Sequence, residues 1–132
     1  MPNFPVKCLI SGAETNGQIA VFEELVPPGG GPPRHTHREQ LEIFHVLEGT
    51  IRFEIDGEII ERGAGAAAVV PVGAVHAFRN IGKEPAMIHF EMIPAGNIEE
   101  GFKRLATDAD SIEDMAAFFD DYGMDLSGPP LE

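Results

Sequence analysis

Only one cysteine, Cys8, occurs in the 132 residues, which excludes an internal disulfide and any cysteine-based zinc site. A reducing cytoplasm is the compartment this composition suggests. No apolar run approaches the ~20 residues of a membrane-spanning helix. Residues 1–12 lack the basic-then-apolar plan of a signal peptide. Basic side chains are scarce: 9 Lys and Arg stand against 22 Asp and Glu, for a net charge of −13. Such a surface repels a nucleic-acid backbone or an anionic membrane at long range, so neither is expected as a partner. Internal repeats and low-complexity segments are also missing. The 43% hydrophobic and 23% charged content instead describes one folded domain. A chain of this length buries roughly two-thirds of its unfolded surface.

Strand signals fill residues 6–94. Residues 18–26 form a β-rich run that ends at Pro27-Pro28-Gly29-Gly30-Gly31-Pro32-Pro33, which neither a helix nor a central strand can absorb. Residues 42–47 follow, and Glu48-Gly49 makes a turn. Ile51, Phe53 and Ile55 then alternate with Arg52, Glu54 and Asp56, the period of a half-buried strand. Asp56-Gly57 is a hairpin signal leading into residues 58–61. Residues 66–70, 75–80 and Ala86–Ile93 complete a set of short strands whose spacing predicts an antiparallel sandwich or barrel.

The period changes after Pro94-Ala95-Gly96. Asn97 is placed to cap a short helix running to about Ala106, with Glu99 and Glu100 near its positive end. Ser111-Ile112-Glu113-Asp114 reads as a capping box for a second helix. Ile112, Met115, Ala116 and Phe119 form its stripe, and Gly123 its C-terminal cap. Phe118 and Phe119 are expected to dock this tail on the body. The tail, residues 97–132, is the more acidic part, with ten acidic and two basic side chains.

Three of the five histidines have spacing that carries chemistry. His35-Thr36-His37 sets two imidazoles on one face of a strand. Glu42 follows five residues later, sharing a strand face with Phe44 and Val46. His76 shares another with Phe78. Gly29…His35-x-His37…Glu42…Gly49 resembles the first motif of the cupin family, and Gly65…Pro71-x-Gly73-x-x-His76…Asn80 resembles the second. Every signature position is filled. The resemblance implies an all-β jelly-roll (double-stranded β-helix) barrel over residues 1–96, with 97–132 as a short C-terminal helical extension packed on it.

It further implies that His35, His37, Glu42 and His76 bind one divalent transition metal ion inside the barrel: Fe, Mn, Ni, Zn or Cu. Imidazole and carboxylate suit all five ions and leave positions open for water, dioxygen or substrate. Small barrels with this ligand set resemble the quercetin dioxygenase-like group, and residues 122–131 resemble the ending of bacterial proteins so labelled. The implied function is a metal-dependent oxygenase acting on a small enolic or aromatic substrate, with Glu42 as catalytic base. Alternatives are a zinc-type isomerase or cyclase and a non-catalytic small-molecule sensor. Small cupins are usually homodimers, and the segment Val6–Ile10 is a candidate for the joint.

The other residues near the motifs have plainer expectations. His45 reads as a hydrogen-bonded core histidine facing away from the metal, whereas His89 faces either the cavity or the outer sheet. Arg34 and Arg38 either steer an anionic substrate or are simply solvated. Phe22, Phe44, Phe53 and Phe78 read as core, and Cys8 as a small buried hydrophobe. Gly29, Gly49, Gly65 and Gly73 read as turn residues.

Overall fold

Alternation of buried and half-buried side chains builds the sheets. The computed structural model describes residues 6–132, so the first five residues of the expected 1–96 barrel lie outside the described residues. The strands are β1 (Val6–Ile10), β2 (Ala20–Val26), β3 (Pro33–His37), β4 (Leu41–Glu48) and β5 (Thr50–Ile55). After these come β6 (Glu58–Gly63), β7 (Ala67–Val70), β8 (His76–Asn80) and β9 (Ala86–Ile93). Helices α1 (Ile98–Asp108) and α2 (Met115–Asp121) follow, then a last strand β10 (Met124–Pro130). Two five-stranded antiparallel sheets result, in the orders β1-β2-β9-β4-β7 and β10-β3-β8-β5-β6. No helix among the described residues is long and apolar enough to cross a membrane.

Inward positions of the two sheets meet in an aromatic core. Phe22 stacks on Phe90 at 5.2 Å between ring centroids, and Phe44 lies 5.1 Å from Phe53 and 5.4 Å from Phe78. Each of these rings is buried, worth about 2–3 kcal/mol relative to exposure. The Asp56-Gly57 hairpin forms as its sequence signals. Both residues have positive φ, at 49° and 83°, which suits the twist of the flanking strands.

The tail differs from its expected form. Its last strand, β10, is the edge strand of the second sheet and pairs antiparallel with β3. Two arginines hold it there. Arg34 donates to both carboxylate oxygens of Glu54, at 2.8 and 3.0 Å, and to the Pro129 carbonyl at 2.8 Å. Arg38 donates to the Asp125 carboxylate at 2.7 Å and to the carbonyls of Met124 and Asp120. Neither is a free surface cation: both are clasps between β3 and the tail, and bidentate geometry is what arginine supplies there. The polar run Asp125-Leu126-Ser127-Gly128-Pro129-Pro130 carries little strand signal, so only pairing reveals it.

Both helices exist, with different caps. Asn97 precedes α1, but its side chain donates to the Asp121 carbonyl, tying the two helices together, and makes no capping bond. Asp114, not Ser111, caps α2 by accepting from the Ala117 amide at 3.1 Å. Starting three residues later turns Phe118 and Phe119 inward and leaves Ala116 exposed. Gly123 has φ 78° just beyond α2, as a helix-ending glycine should.

Gly31 lies where the chain crosses β8 at close range: a β-carbon there would stand 1.8 Å from the Phe78 carbonyl oxygen. Gly31→Ala should destabilise the fold by about 2 kcal/mol or more, because backbone must move. Gly63→Ala, with nothing within 4 Å of its added carbon, should stay within about 0.5 kcal/mol. Urea midpoints of the two variants check the contrast.

Candidate metal centre

The β3 alternation turns His35 and His37 inward, and β3 pairs with β8 so that His35 lies directly opposite His76. Three imidazoles are thereby brought close together, with ring centroids 4.3 Å apart for His35 and His76 and 5.1 Å for His35 and His37. One nitrogen from each lies within 4.8 Å of the others, the kind of group that holds a metal ion. Glu42 reaches the cluster from β4 in the facing sheet. Its Oε1 stands 3.1 Å from His76 Nε2 and 3.2 Å from His37 Nε2. All four side chains are buried. Phe119 of α2 meets the His35 ring edge-on at 5.7 Å, so the tail closes over the cluster.

Backbone carbonyls orient two of the rings. His35 Nδ1 donates to the Pro33 carbonyl at 2.7 Å and His76 Nδ1 to the Ala74 carbonyl at 3.0 Å. A carbonyl can only accept, so each bond fixes the proton on Nδ1 and turns the Nε2 lone pair inward. That is the outer-shell arrangement of a ligating histidine. His37 Nδ1 is the one buried side-chain nitrogen or oxygen without a hydrogen-bond partner among the described residues. The donor set, three imidazoles with a carboxylate alongside, fits a divalent transition metal.

Electrostatics agree with that fit. Burial and the neighbouring imidazoles push the His35 pKa down to about 3, so this ring is a neutral donor at physiological pH. Burial alone drives the Glu42 carboxyl up, but His37 and His76 outweigh it and hold the group ionised, well below the usual carboxylate range. Burial likewise lowers His76, yet its bond to Glu42 prevails and raises it above the ordinary imidazole value.

The cluster opens into a cavity of about 90 Å³ lined by Phe44, Phe78, Phe90, Phe102, Phe118 and Phe119, among others. One water needs ~10–15 Å³, so this space suits a small organic molecule. Phe44 and Phe78 are thus both core and cavity wall. Glu24 lines the same cavity and was not singled out from sequence. It is 6% exposed, and burial, with Glu42 nearby, pushes its pKa up to about 8. The signal was available: Ala20, Phe22, Glu24 and Val26 share one face of β2, and three of the four are apolar.

The remaining candidates sit elsewhere. His45 is exposed rather than in the core: it faces outward and bonds to Glu91. His89 also lies on the outer face of this sheet, 2.8 Å from Glu23. Asn80 is buried and structural, donating to the Val26 and Glu84 carbonyls. Gly29, Gly49, Gly65 and Gly73 all have positive φ, as turn residues. Cys8 is half-buried rather than fully enclosed.

The chain is similar in sequence and in fold to known proteins. Polyketide synthase CurC of Streptomyces cyaneus is 31% identical over 70 residues, 53% of this chain and 46% of that protein. Quercetin 2,3-dioxygenase of Bacillus subtilis is 34% identical over 65 residues, 49% of this chain and 19% of that protein. The chain therefore spans less than half the length of either curated relative. The structure of KdgF from Halomonas sp. matches with a TM-score of 0.67 at 17% identity, covering 75% of this chain and 87% of that one, a likeness of fold. A cupin-domain family model matches residues 22–92, more than half of the sequence, and the chain belongs to the cupin family.

Proposed function

We propose that the protein is a metal-dependent cupin that oxygenates a small organic molecule bearing an enolic or phenolic hydroxyl. The observation that carries this reading is the convergence of His35, His37 and His76 with the ionised Glu42 at the wall of a largely aromatic cavity. In this reading the three imidazoles and Glu42 hold the metal, which when bound supplies Lewis acidity and, for a redox-active ion, reaction with dioxygen. Glu42 accepts the hydroxyl proton of the substrate. It is suited to that role because it is buried and held ionised at the wall of the cavity. The phenylalanine walls exclude water and favour a flat ligand. The likeness to quercetin 2,3-dioxygenase supports the oxygenase form.

The likeness to polyketide synthase CurC favours a second reading, in which a zinc form isomerises or cyclises a carbonyl compound without oxygen. The two readings separate on one comparison. Oxygen uptake by the iron, manganese or nickel form with flavonols and simple diketones supports the first. Anaerobic conversion by the zinc form supports the second, and absence of oxygen-dependent turnover with every metal removes the first.

Metal binding has its own check. Zinc at a hundredfold excess over its dissociation constant should stabilise the fold by about 2.7 kcal/mol, read as a raised melting temperature. Alanine at His35, His37 or His76 should abolish that rise and lower zinc content by elemental analysis. Imidazoles bind only when deprotonated, and His76, whose pKa is raised above the ordinary imidazole value, is the first to exchange metal for a proton, so metal content should fall as the pH drops through the imidazole range. Unchanged content at acidic pH would contradict imidazole ligation. For the catalytic step, Glu42→Gln keeps an oxygen for the metal but cannot accept a proton. At confirmed metal occupancy it should lower turnover by about 10²- to 10⁴-fold.

A further inference from the structure

A second cavity lies beside the metal-side one and contains none of the four metal-type ligands. It holds about 160 Å³ between β1 and α1, against about 90 Å³ at the metal centre. Cys8 of β1, Phe22 of β2 and Ala106 of α1 line it, so most of its wall is apolar. Its two charged groups, Glu99 and Lys103, pair with each other at 3.2 Å. The two spaces have two walls in common, Val6 and Phe102. A ring that lines both stands between them.

Volume decides what each space can take. A cavity of ~150 Å³ holds one benzene ring. The metal-side space is smaller than that, and the second is close to it. A hydroxyl-bearing head at the metal centre therefore leaves no room on its own side for a large substituent, whereas the second space accepts one. Only Phe102 and Val6 separate the two. Phe102 is also placed to give way. It is half-buried, and its ring meets Phe22 and Phe90 edge-on, at 5.0 and 5.7 Å, rather than being enclosed. Of α1, only Ile98 and Gly101 in the first turn are fully buried, so the turn that carries Phe102 is lightly covered. Another staggered rotamer of the ring opens one space to the other.

We propose that the two cavities are one bipartite ligand site divided by Phe102, and that the ligand carries an uncharged, apolar arm of about six carbons that passes Phe102 and lies between β1 and α1. This rests on the reading of the metal-side cavity as a small-molecule site. Phe102 is then a specificity-determining residue: it sets which arms can follow the head, and it takes no part in holding metal.

The test is calorimetric titration of the zinc-loaded full chain with phenol and para-hexylphenol, which share a head and differ by the arm. Each buried methylene contributes about fourfold in affinity, and turning Phe102 aside consumes part of the gain, so the wild type should bind para-hexylphenol at least about tenfold more tightly than phenol. Phe102→Leu, a smaller divider that is still apolar, should raise that ratio by about a further fourfold, the value of one more buried methylene. Zinc content should be unchanged. A purely structural loss would weaken both phenols alike and leave the ratio where it was. Cys8 reads the position of the arm without any variant, because it lines only the second cavity. With para-hexylphenol at ten times its dissociation constant, alkylation of Cys8 by iodoacetamide, followed by mass spectrometry, should slow about tenfold, in proportion to the free fraction that remains. Phenol should not slow it. Equal affinity for the two phenols in the wild type, a ratio unmoved in Phe102→Leu, or Cys8 alkylated equally fast with either phenol bound would each overturn the proposal. Binding of neither phenol would instead overturn the small-molecule reading of the metal-side cavity, and failure to take up zinc the metal reading beneath it.

Discussion

Enclosing three imidazoles beside a carboxylate is unfavourable unless each group has a partner, and Glu42 supplies one for both His37 and His76. The arrangement spans the sandwich, because the histidines belong to β3 and β8 and Glu42 to β4 of the other sheet. Neither sheet can slide by one residue without turning these groups away from each other. The aromatic core is built around the same requirement, with Phe44 two residues from Glu42 and Phe78 two from His76 on the inward faces.

The tail belongs to this constraint and is not an appendage. β10 covers the open edge of β3, the strand that carries two histidines, and α2 sets Phe119 against His35. Arg34 and Arg38, which bracket the histidine pair in sequence, fasten the tail on either side of them. The residues that could steer an anion into the cavity are instead the ones that close it, and among the described residues no lysine or arginine lines the aromatic interior.

Within that interior, neighbours decide what each acid does. Glu42 and Glu24 are the same residue type on inward strand positions, both buried. One stands beside two imidazoles that favour its charge; the other lies on an otherwise apolar strand face, where burial raises its pKa. The second acid gives the cavity a polar group apart from the metal-type ligands.

Strand alternation and the spacing of His35, His37, Glu42 and His76 were legible along the chain, because side-chain facing repeats every two residues and turn glycines mark the boundaries. The barrel, the inward histidines and the hairpin at Asp56-Gly57 follow from such short-range rules. β10 was not legible, since its residues have weak strand preference and are held by partners 86 to 96 positions away. Asp114 displaced Ser111 as a cap for a similar reason: docking Phe118 and Phe119 against the cavity selects where α2 begins. His89 and His45 have the same local pattern as an inward residue, and only the packing of the sheets shows that their face is the outer one. Local periodicity says which residues share a face; which face is covered depends on long-range packing that short stretches of sequence do not encode.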